Sequence, residues 1–199
     1  MKILFTGGGT GGHFYPIVAV AEAVNKISKE KRLLAPELYY MADEPYDKRA
    51  LFDNNITFIS MPAGKLRHYF SLLNFLDIFK TAAGVIKSLW KVFRIYPDVI
   101  FGKGGYASFP ALFAGKILRI PVVIHESDSV PGRVNLWAGK FAQDIAVSFP
   151  EAANYFDAAK TAYTGNPLRQ EILNLQSSGA HEFLKIDKSI PTILIMGGS

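Results

Sequence analysis

Short apolar runs alternate along the chain with longer segments in which apolar residues recur every three or four positions. The short runs predict strands at 2–7, 37–42, 56–61, 98–103, 121–126 and 144–149. The longer segments predict helices at 14–30, 45–53, 70–95, 107–118 and 132–141. Strands that are apolar throughout and joined by helices are typical of a parallel sheet covered on both faces. The pattern therefore predicts an α/β fold, a Rossmann-like doubly wound parallel sheet.

The helix predicted at 70–95 changes character along its length. In its second half Lys87, Lys91 and Arg94 form a basic stripe, and the opposite side predicts a core face made of Val85, Ile86, Leu89, Val92 and Phe93. The first half is apolar nearly all round, so we expect an exposed apolar tip beside basic residues. The apolar members are Leu72, Leu73, Phe75, Leu76 and Phe79, and the basic ones are Lys65, Arg67 and Lys80. Such a tip suits docking on an anionic leaflet, and burial under another helix or a further domain is the alternative.

The last residues of the chain repeat the pattern of the first. PTILIMGGS, like MKILFTGGG, is an apolar run followed by glycines, and the polar segment before it is typical of a linker. We expect one domain at 1–163, an interdomain linker at 164–190, and at 191–199 the first strand of a second Rossmann-like domain. An edge strand of the first domain is the alternative for the last segment.

Composition and charge narrow the function classes. The 199 residues are 49% hydrophobic and contain no cysteine, which excludes disulfides, thiolate metal sites and a cysteine nucleophile. No apolar run approaches the ~18 residues of a membrane-spanning helix. Residues 61–120 hold nine Lys or Arg against two Asp, a net charge of +7, whereas the rest of the chain sums to −2. A basic region of this kind suits a phospholipid or nucleic-acid surface, or is simply a solvated face.

Two glycine-rich loops each follow a predicted strand and precede a predicted helix. The first matches G-x-G-x-x-G at Gly7, Gly9 and Gly12 and adds the Thr10 hydroxyl; the second contains Gly102, Gly104 and Gly105. Glycines let a ligand approach the backbone, and the N-terminus of the next helix favours a phosphate. The first loop alone also fits an NAD-linked oxidoreductase, with Asp43 on a ribose hydroxyl. Two adjacent loops instead predict a broad cradle for a pyrophosphate and a sugar.

Polar residues follow two further predicted strands. His125, Glu126 and Asp128 come after the strand at 121–126, and Asn135 lies in the next helix, where they are candidates for sugar-hydroxyl contacts. The alternatives are a histidine satisfied by a backbone carbonyl and a carboxylate that braces its loop.

A fourth motif, GNPLR, ends a strand at Asn166-Pro167 and places Arg169 in the first turn of a helix. The helix dipole disfavours a cation there, so a bound anion would explain Arg169. A surface arginine without a ligand is the alternative.

Five motifs occur in one order: GGTGGH at 8–13, GKGGYASFP at 102–110, PVVIHESD with a following PG and Asn135 at 121–135, GNPLR at 165–169, and a terminal GGS. Together they resemble the MurG family of bacterial peptidoglycan glycosyltransferases over the whole chain. The resemblance implies the N-terminal half of a GT-B fold, in which two Rossmann-like domains face each other across a cleft. It implies inverting transfer of N-acetylglucosamine from UDP-GlcNAc to the 4-OH of MurNAc in lipid I, giving lipid II, by a peripheral enzyme at the cytoplasmic face of the cell membrane.

The resemblance also implies partners and residue roles. The partners are UDP-GlcNAc, lipid I and an anionic phospholipid surface, with no nucleic acid, no cofactor and no required metal. His13 is the expected base, with Asp128 and Glu126 as further catalytic candidates, and a purely binding role is the alternative for His13. The expected donor contacts are Thr10, Gly11, Gly12, Asp128, Asn166, Arg169 and Ser199. The expected acceptor contacts are Gly9, Gly104, Gly105, Tyr106, His125 and Asn135.

One position departs from the family pattern. Asp128 stands where some members have Asn, and an ionised carboxylate accepts hydrogen bonds but cannot donate them. We expect this chain to be the acceptor-binding domain, inactive alone because its cleft has one wall. The alternatives are a separate acceptor-binding subunit that pairs with a donor-binding chain, and an NAD-linked oxidoreductase.

Overall fold

The computed structural model describes residues 1–8, 10–63, 72–174, 179–187, 189–191 and 193, with the backbone alone at 72–80. Within these residues the strands are β1 (Lys2–Thr6), β2 (Glu37–Ala42), β3 (Ile56–Ser60), β4 (Val99–Gly102), β5 (Val122–Glu126), β6 (Asp144–Val147) and β7 (Thr161–Tyr163). The helices are α1 (Gly11–Glu30), α2 (Lys48–Asp53), α3 (Leu72–Ile95), α4 (Phe109–Leu118), α5 (Arg133–Gly139), α6 (Pro150–Ala153), α7 (Gln170–Leu173) and α8 (Ala180–Leu184). Two 3₁₀ turns lie at Tyr106–Ser108 and Ala158–Lys160.

All the strands form one parallel sheet with the order β3-β2-β1-β4-β5-β6-β7. The chain winds outward from β1 to β3, crosses back to β4 on the other side of β1, and then winds outward in the opposite direction. A crevice therefore opens at the carboxyl ends of β1 and β4, where sheets of this type bind their ligands. The predicted α/β, Rossmann-like, doubly wound sheet is confirmed.

The side chains of each strand alternate between two cores. In β1, Leu4 points into the core beneath α3 and α4, whereas Phe5 points into the core beneath α1 and α2. In β2, Met41 and Tyr40 divide in the same way. Burial on both faces explains why the strands read as apolar runs without polar alternation.

Helix α3 buries a face that agrees with the predicted one only in part: Val92 is buried and Leu89 packs against the core, as predicted. Gly84, Ser88 and Val92, spaced four residues apart, are buried, whereas Ile86 is 70% and Phe93 63% exposed. The predicted core face is therefore wrong at Ile86 and Phe93. The physical reason is that two small residues form the contact, so the helix approaches its neighbours closely along them.

Several predicted features lie outside the described residues. These are Gly9, Lys65, Arg67, Ser199 and most of 191–199, together with the side chains of Leu72, Leu73, Phe75, Leu76, Phe79 and Lys80. The division into a domain at 1–163 and a linker at 164–190 stays a prediction. Within the described residues, none of the helices combines the length and apolar character that a bilayer-spanning segment needs.

Candidate active site

The two glycine loops lie against each other at the crevice between β1 and β4. The amide N–H of Lys103 donates to the carbonyl oxygen of Thr6 at 2.8 Å. Gly104 and Gly105 both have positive φ, 85° and 79°. A Cβ atom at Gly105 would lie 2.8 Å from the carbonyl oxygen of Gly8, so glycine is required for the loops to meet. The second loop thus forms a floor of bare backbone beside the first.

His13 lies in the first turn of α1, facing this floor. Its Nδ1 is 2.9 Å from the Thr10 hydroxyl, and its Nε2 would be 3.3 Å from a Cβ at Gly105. Among the described residues, none is hydrogen-bonded to Nε2. Burial lowers the pKa of His13 and Lys103 lowers it further, whereas Asp128 and Glu126 act in the opposite direction. With the proton on Nδ1 and donated to Thr10, Nε2 presents a lone pair near neutral pH.

A cavity of about 480 Å³ opens beside the start of α1. Of the predicted donor contacts, Gly11, Gly12, Asp128, Asn166 and Arg169 line it. They come from three segments that are distant in sequence, namely the start of α1, the loop after β5 and the segment after β7. Thr10 directly precedes Gly11 in sequence, and its hydroxyl contacts His13. The structure thus brings together the donor contacts that it describes, and their roles stay a prediction.

Arg169 lies immediately before α7, with extended backbone, and not in the first helical turn as predicted. Its guanidinium lies over the ring of Tyr15, 4.1 Å from the centroid, and Nη1 is 3.2 Å from a carboxylate oxygen of Glu171. Its Nε is buried and has no hydrogen-bond partner among the described residues. The amide N–H of Gln170 donates to Glu22 of α1 at 2.9 Å, which holds this segment against the domain.

Glu126 has the contacts of a carboxylate that braces its own loop. One oxygen accepts from the amide of Asp128 at 3.0 Å; the other accepts from the amide of Gly132 and from Nδ2 of Asn135, each at 3.0 Å. The residue is 4% exposed. These contacts match the structural alternative given above and leave the exposed Asp128 as the carboxylate at the cavity.

His125 and Asn135 are each 2% exposed and contact the interior of the fold. His125 Nε2 lies 3.1 Å from the carbonyl oxygen of Gly165 and 3.3 Å from the Ser148 hydroxyl. Asn135 donates to the carbonyl oxygen of His125 at 3.1 Å and packs beneath Gly104. The geometry therefore favours support of the loops over direct acceptor contact for both residues.

Tyr106, a predicted acceptor contact, lines a second cavity of about 280 Å³. Asp43, Tyr46 and the buried Tyr40 also line it. The Tyr40 hydroxyl donates a hydrogen bond to the carbonyl oxygen of Gly7. Gly11 and Gly12 thus line one cavity and Tyr106 lines the other, and His13 lies next to Gly12 in sequence and close to Gly105 in space.

Sequence reasoning missed Lys103 and Ser127. Lys103 contributes to the net charge of 61–120, yet it is 2% exposed, and its Nζ donates to the Ser127 hydroxyl at 2.8 Å. The signal was its position within GKGG, directly after a strand whose side chains are buried on both faces.

Two further observations concern the alternative functions. Gly12 is exposed, and the nearest heavy atom to a Cβ there is the Thr10 hydroxyl oxygen at 3.7 Å, so it does not serve the close helix–strand packing of the third glycine in a dinucleotide fingerprint. Among the described residues, no three His, Asp or Glu side chains are grouped as metal ligands are.

Comparison with known proteins agrees with this picture. The profile of the glycosyltransferase family 28 N-terminal domain matches residues 3–147. The UDP-N-acetylglucosamine--N-acetylmuramyl-(pentapeptide) pyrophosphoryl-undecaprenol N-acetylglucosamine transferase of Treponema denticola is 40% identical over 204 residues, which cover 99% of this chain and 52% of that protein. An enzyme of the same name from Bacillus thuringiensis is 38% identical, covering 100% and 54%.

Solved structures give the same result. MurG of Acinetobacter baumannii superimposes with a TM-score of 0.64 at 25% identity, over 88% of this chain and 46% of that one. The UDP-GlcNAc 2-epimerase of Neisseria meningitidis bound to UDP-GlcNAc shares the fold at 15% identity, with a TM-score of 0.61 over 98% and 54%. The chain spans about half the length of the curated relatives it matches. It belongs to glycosyltransferase family 28, whose N-terminal domain it contains, and it is similar to MurG along its whole length.

Proposed function

We propose that this chain is the acceptor-binding domain of a transferase that moves N-acetylglucosamine from UDP-GlcNAc to the 4-OH of MurNAc in lipid I, giving lipid II for peptidoglycan synthesis. The observation that carries the proposal is the convergence of three sequence-distant segments on one cavity beside His13. The names of the relatives supply the substrate class. A donor-binding domain would form the opposite wall of the cleft, so the chain alone binds ligands without turning them over.

In this reaction His13 acts as the base. The MurNAc hydroxyl attacks the anomeric carbon from the face opposite UDP; the new C–O bond forms as the bond to the diphosphate oxygen breaks, and UDP leaves with that electron pair. Nε2 accepts the hydroxyl proton, while the contact of Nδ1 with Thr10 fixes the ring. Backbone amides at the start of α1 and the Arg169 guanidinium stabilise the departing negative charge.

The test uses the two-domain protein that contains this chain. Transfer of radiolabelled N-acetylglucosamine from UDP-GlcNAc to a lipid I analogue is expected, and the isolated chain should give none. A second arm adds a separately produced donor domain, which distinguishes one polypeptide from two cooperating chains. Calorimetry with NAD serves as the control for the oxidoreductase alternative and should show no binding. The absence of transfer by the two-domain protein with both substrates present would contradict the proposal.

The same proposal places the domain peripherally on the cytoplasmic face of the membrane, through α3. Ile86, Trp90 and Phe93 are 70%, 52% and 63% exposed. The Arg94 guanidinium lies 4.8 Å and the Lys91 ammonium 5.3 Å from the centroid of the Trp90 ring. Exposed apolar side chains flanked by basic ones support docking on an anionic leaflet, where each cation adds about 1 kcal/mol.

Flotation with vesicles tests this placement. The chain should bind phosphatidylglycerol vesicles at low salt, bind neutral phosphatidylcholine vesicles weakly, and dissociate as salt is raised. Trp90→Ala combined with Phe93→Ala should weaken binding. Leu34→Ala is the matched control, because Leu34 is 91% exposed and lies away from α3. Equal binding by the double variant and the control would remove α3 as the docking surface.

A further inference from the structure

Lys103 is the one lysine or arginine among the described residues whose side chain is buried, at 2% exposure. Burying an ammonium costs free energy unless it is hydrogen-bonded or paired, so its placement needs a reason. It forms no salt bridge with a described residue, and the mechanism above does not use it. Its ammonium group donates a hydrogen bond to the hydroxyl of Ser127, at 2.8 Å.

The Lys103 side chain passes beneath the first glycine loop to reach the third loop of the site. Its Cβ would lie 2.9 Å from a Cβ at Gly7, and its amide is bonded to Thr6 at the end of β1. Its Nζ ends at Ser127, which lines the 480 Å³ cavity beside Asp128. One side chain thus connects the β1, β4 and β5 loop ends.

The hydrogen-bond chemistry of this pair fixes the direction of the serine hydroxyl. An ammonium group only donates, so Ser127 Oγ is the acceptor. The single hydroxyl proton of Ser127 is then left to donate to another group, and no described residue accepts it. Donation by a cation to Oγ also polarises the hydroxyl, which strengthens the bond that it makes in turn.

We propose that Ser127 binds a diphosphate group in this cavity and that Lys103 is the positioning residue that turns the Ser127 hydroxyl toward it. The inference rests on the proposed function, which places a diphosphate beside α1. It also accounts for Asp128, whose carboxylate at the same rim repels an anion. A buried cation behind the serine offsets that repulsion, because its field is weakly screened in the interior.

The pKa directions are consistent with this arrangement. Burial lowers the pKa of the Lys103 ammonium, whereas Glu126 and Asp128 raise it. The two carboxylates that flank Ser127 therefore help to keep the donor charged.

The test is a titration of the isotopically labelled chain, followed by NMR at the amides of Gly11 and Gly12. The probes are inorganic pyrophosphate, UDP and geranyl diphosphate, so that a nucleotide and a lipid source of the diphosphate are distinguished. Ser127→Ala should weaken binding of pyrophosphate roughly tenfold, as the loss of a charge-assisted hydrogen bond implies. Ser127→Thr keeps the hydroxyl and should bind within about twofold of the wild type. Ser129→Ala, an exposed serine of the same loop, is the matched control.

Lys103→Met, which keeps the length of the stem, should weaken binding at least as much as Ser127→Ala, because it also removes the cation that offsets the charge of Asp128. Lys140→Met controls for loss of an exposed charge. The double variant Ser127→Ala, Lys103→Met should bind no more weakly than the worse single variant, because both remove one interaction. If Lys103→Met does not fold, the alanine and threonine variants of Ser127 still decide the outcome.

Wild-type affinity in Ser127→Ala, or additive losses in the double variant, would overturn the inference, as would a wild-type chain that binds none of the three probes. The proposed function is measured separately, by transfer activity of the two-domain protein. If that activity is normal while Ser127→Ala leaves pyrophosphate binding unchanged, the role of Ser127 and Lys103 is ruled out and the proposed function stands.

Discussion

His13 and His125 both lie at the carboxyl edge of the sheet, and both belong to motifs that point to ligand binding, but their surroundings differ. His125 lies inside β5, where neighbouring elements supply the carbonyl oxygen of Gly165 and the Ser148 hydroxyl. His13 lies at the mouth of the first loop, where Thr10 engages one nitrogen and a bare glycine loop faces the other. The position of an imidazole within its element thus decides whether it can react.

The pKa directions of the two histidines do not distinguish them. Burial lowers the pKa of both, and Lys103 acts on both in the same direction. Each imidazole is therefore neutral near pH 7, and a pKa criterion would select either as a base. The two histidines differ in the accessibility of Nε2, which has hydrogen-bonding neighbours in His125 and faces a glycine loop in His13.

The largest expected effect is on turnover. His13→Ala in the two-domain protein should reduce transfer about 10²–10⁴-fold, because the proposed general base is lost. The thermal unfolding midpoint should change little, since His13 is only half-buried and its side-chain hydrogen bond is to the nearby Thr10 hydroxyl. Initial rates and differential scanning calorimetry measure the two quantities. Near-normal turnover would leave His13 with a binding role only.

His125→Ala should act mainly on stability. It removes a buried ring and leaves the Gly165 carbonyl without that partner, so the free energy of unfolding should fall by about 2–3 kcal/mol. Transfer per folded molecule should stay within about tenfold of the wild type at low temperature, because no base or donor contact is removed. Urea titration followed by circular dichroism provides the measurement. A variant with intact stability and lost turnover would reverse the comparison.

Gly105→Ala tests the floor that His13 faces. The substitution forces a side chain into positive φ and against the carbonyl oxygen of Gly8, which should cost about 1–3 kcal/mol. It should also displace the His13 ring, with a loss of turnover beyond the loss of stability. Gly12→Ala is the matched control within the same site, because that position has open space and should change stability by less than about 0.5 kcal/mol. Equal behaviour of the two variants would show that the loops need not touch.

The smallest effect is on pH dependence. Since the folded pKa values of His13 and His125 are lowered below 6.5, the unfolded chain binds more protons as pH falls through 6.5 toward those values. The stability that these residues contribute is therefore present above pH 6.5 and is lost on acidification. His125→Asn should flatten this slope in chemical denaturation between about pH 5 and 7.

Two charge variants give opposite shifts at His13. Lys103→Met should raise its pKa and Asp128→Asn should lower it, both followed by NMR of the imidazole. The acid limb of the transfer rate should move to higher pH in the first variant and to lower pH in the second. A His13 pKa that moves in the same direction in both variants would contradict these electrostatics.

The fold was predictable because its cause is local. Each apolar strand and each amphipathic helix can be recognised within its own segment, and the winding rule for parallel sheets then brings the glycine loops together. The convergence of Gly11, Asp128 and Asn166 on one cavity follows from the same rule, because strand ends share an edge.

The errors arose where contacts between distant segments decide. Whether Glu126 is a catalytic carboxylate or stabilises its own loop depends on the amide of Gly132 and the side chain of Asn135. The burial of the Lys103 ammonium likewise depends on the Ser127 hydroxyl. The predicted core face of α3 was wrong at Ile86 and Phe93 because the hydrophobic pattern favours large side chains, whereas the closest contact uses Gly84.

Gly84 has a mechanical consequence. A Cβ at this position would overlap the carbonyl group of Pro62 just past β3, and it would lie 3.5 Å from the ring of Pro110 in α4. Helix α3 therefore lies very close to both a strand end and a neighbouring helix at this residue, and the exposed Ile86, Trp90 and Phe93 all follow it along the helix. A side chain at residue 84 would force α3 away from the sheet, and the position of these three exposed side chains relative to the rest of the domain would change with it.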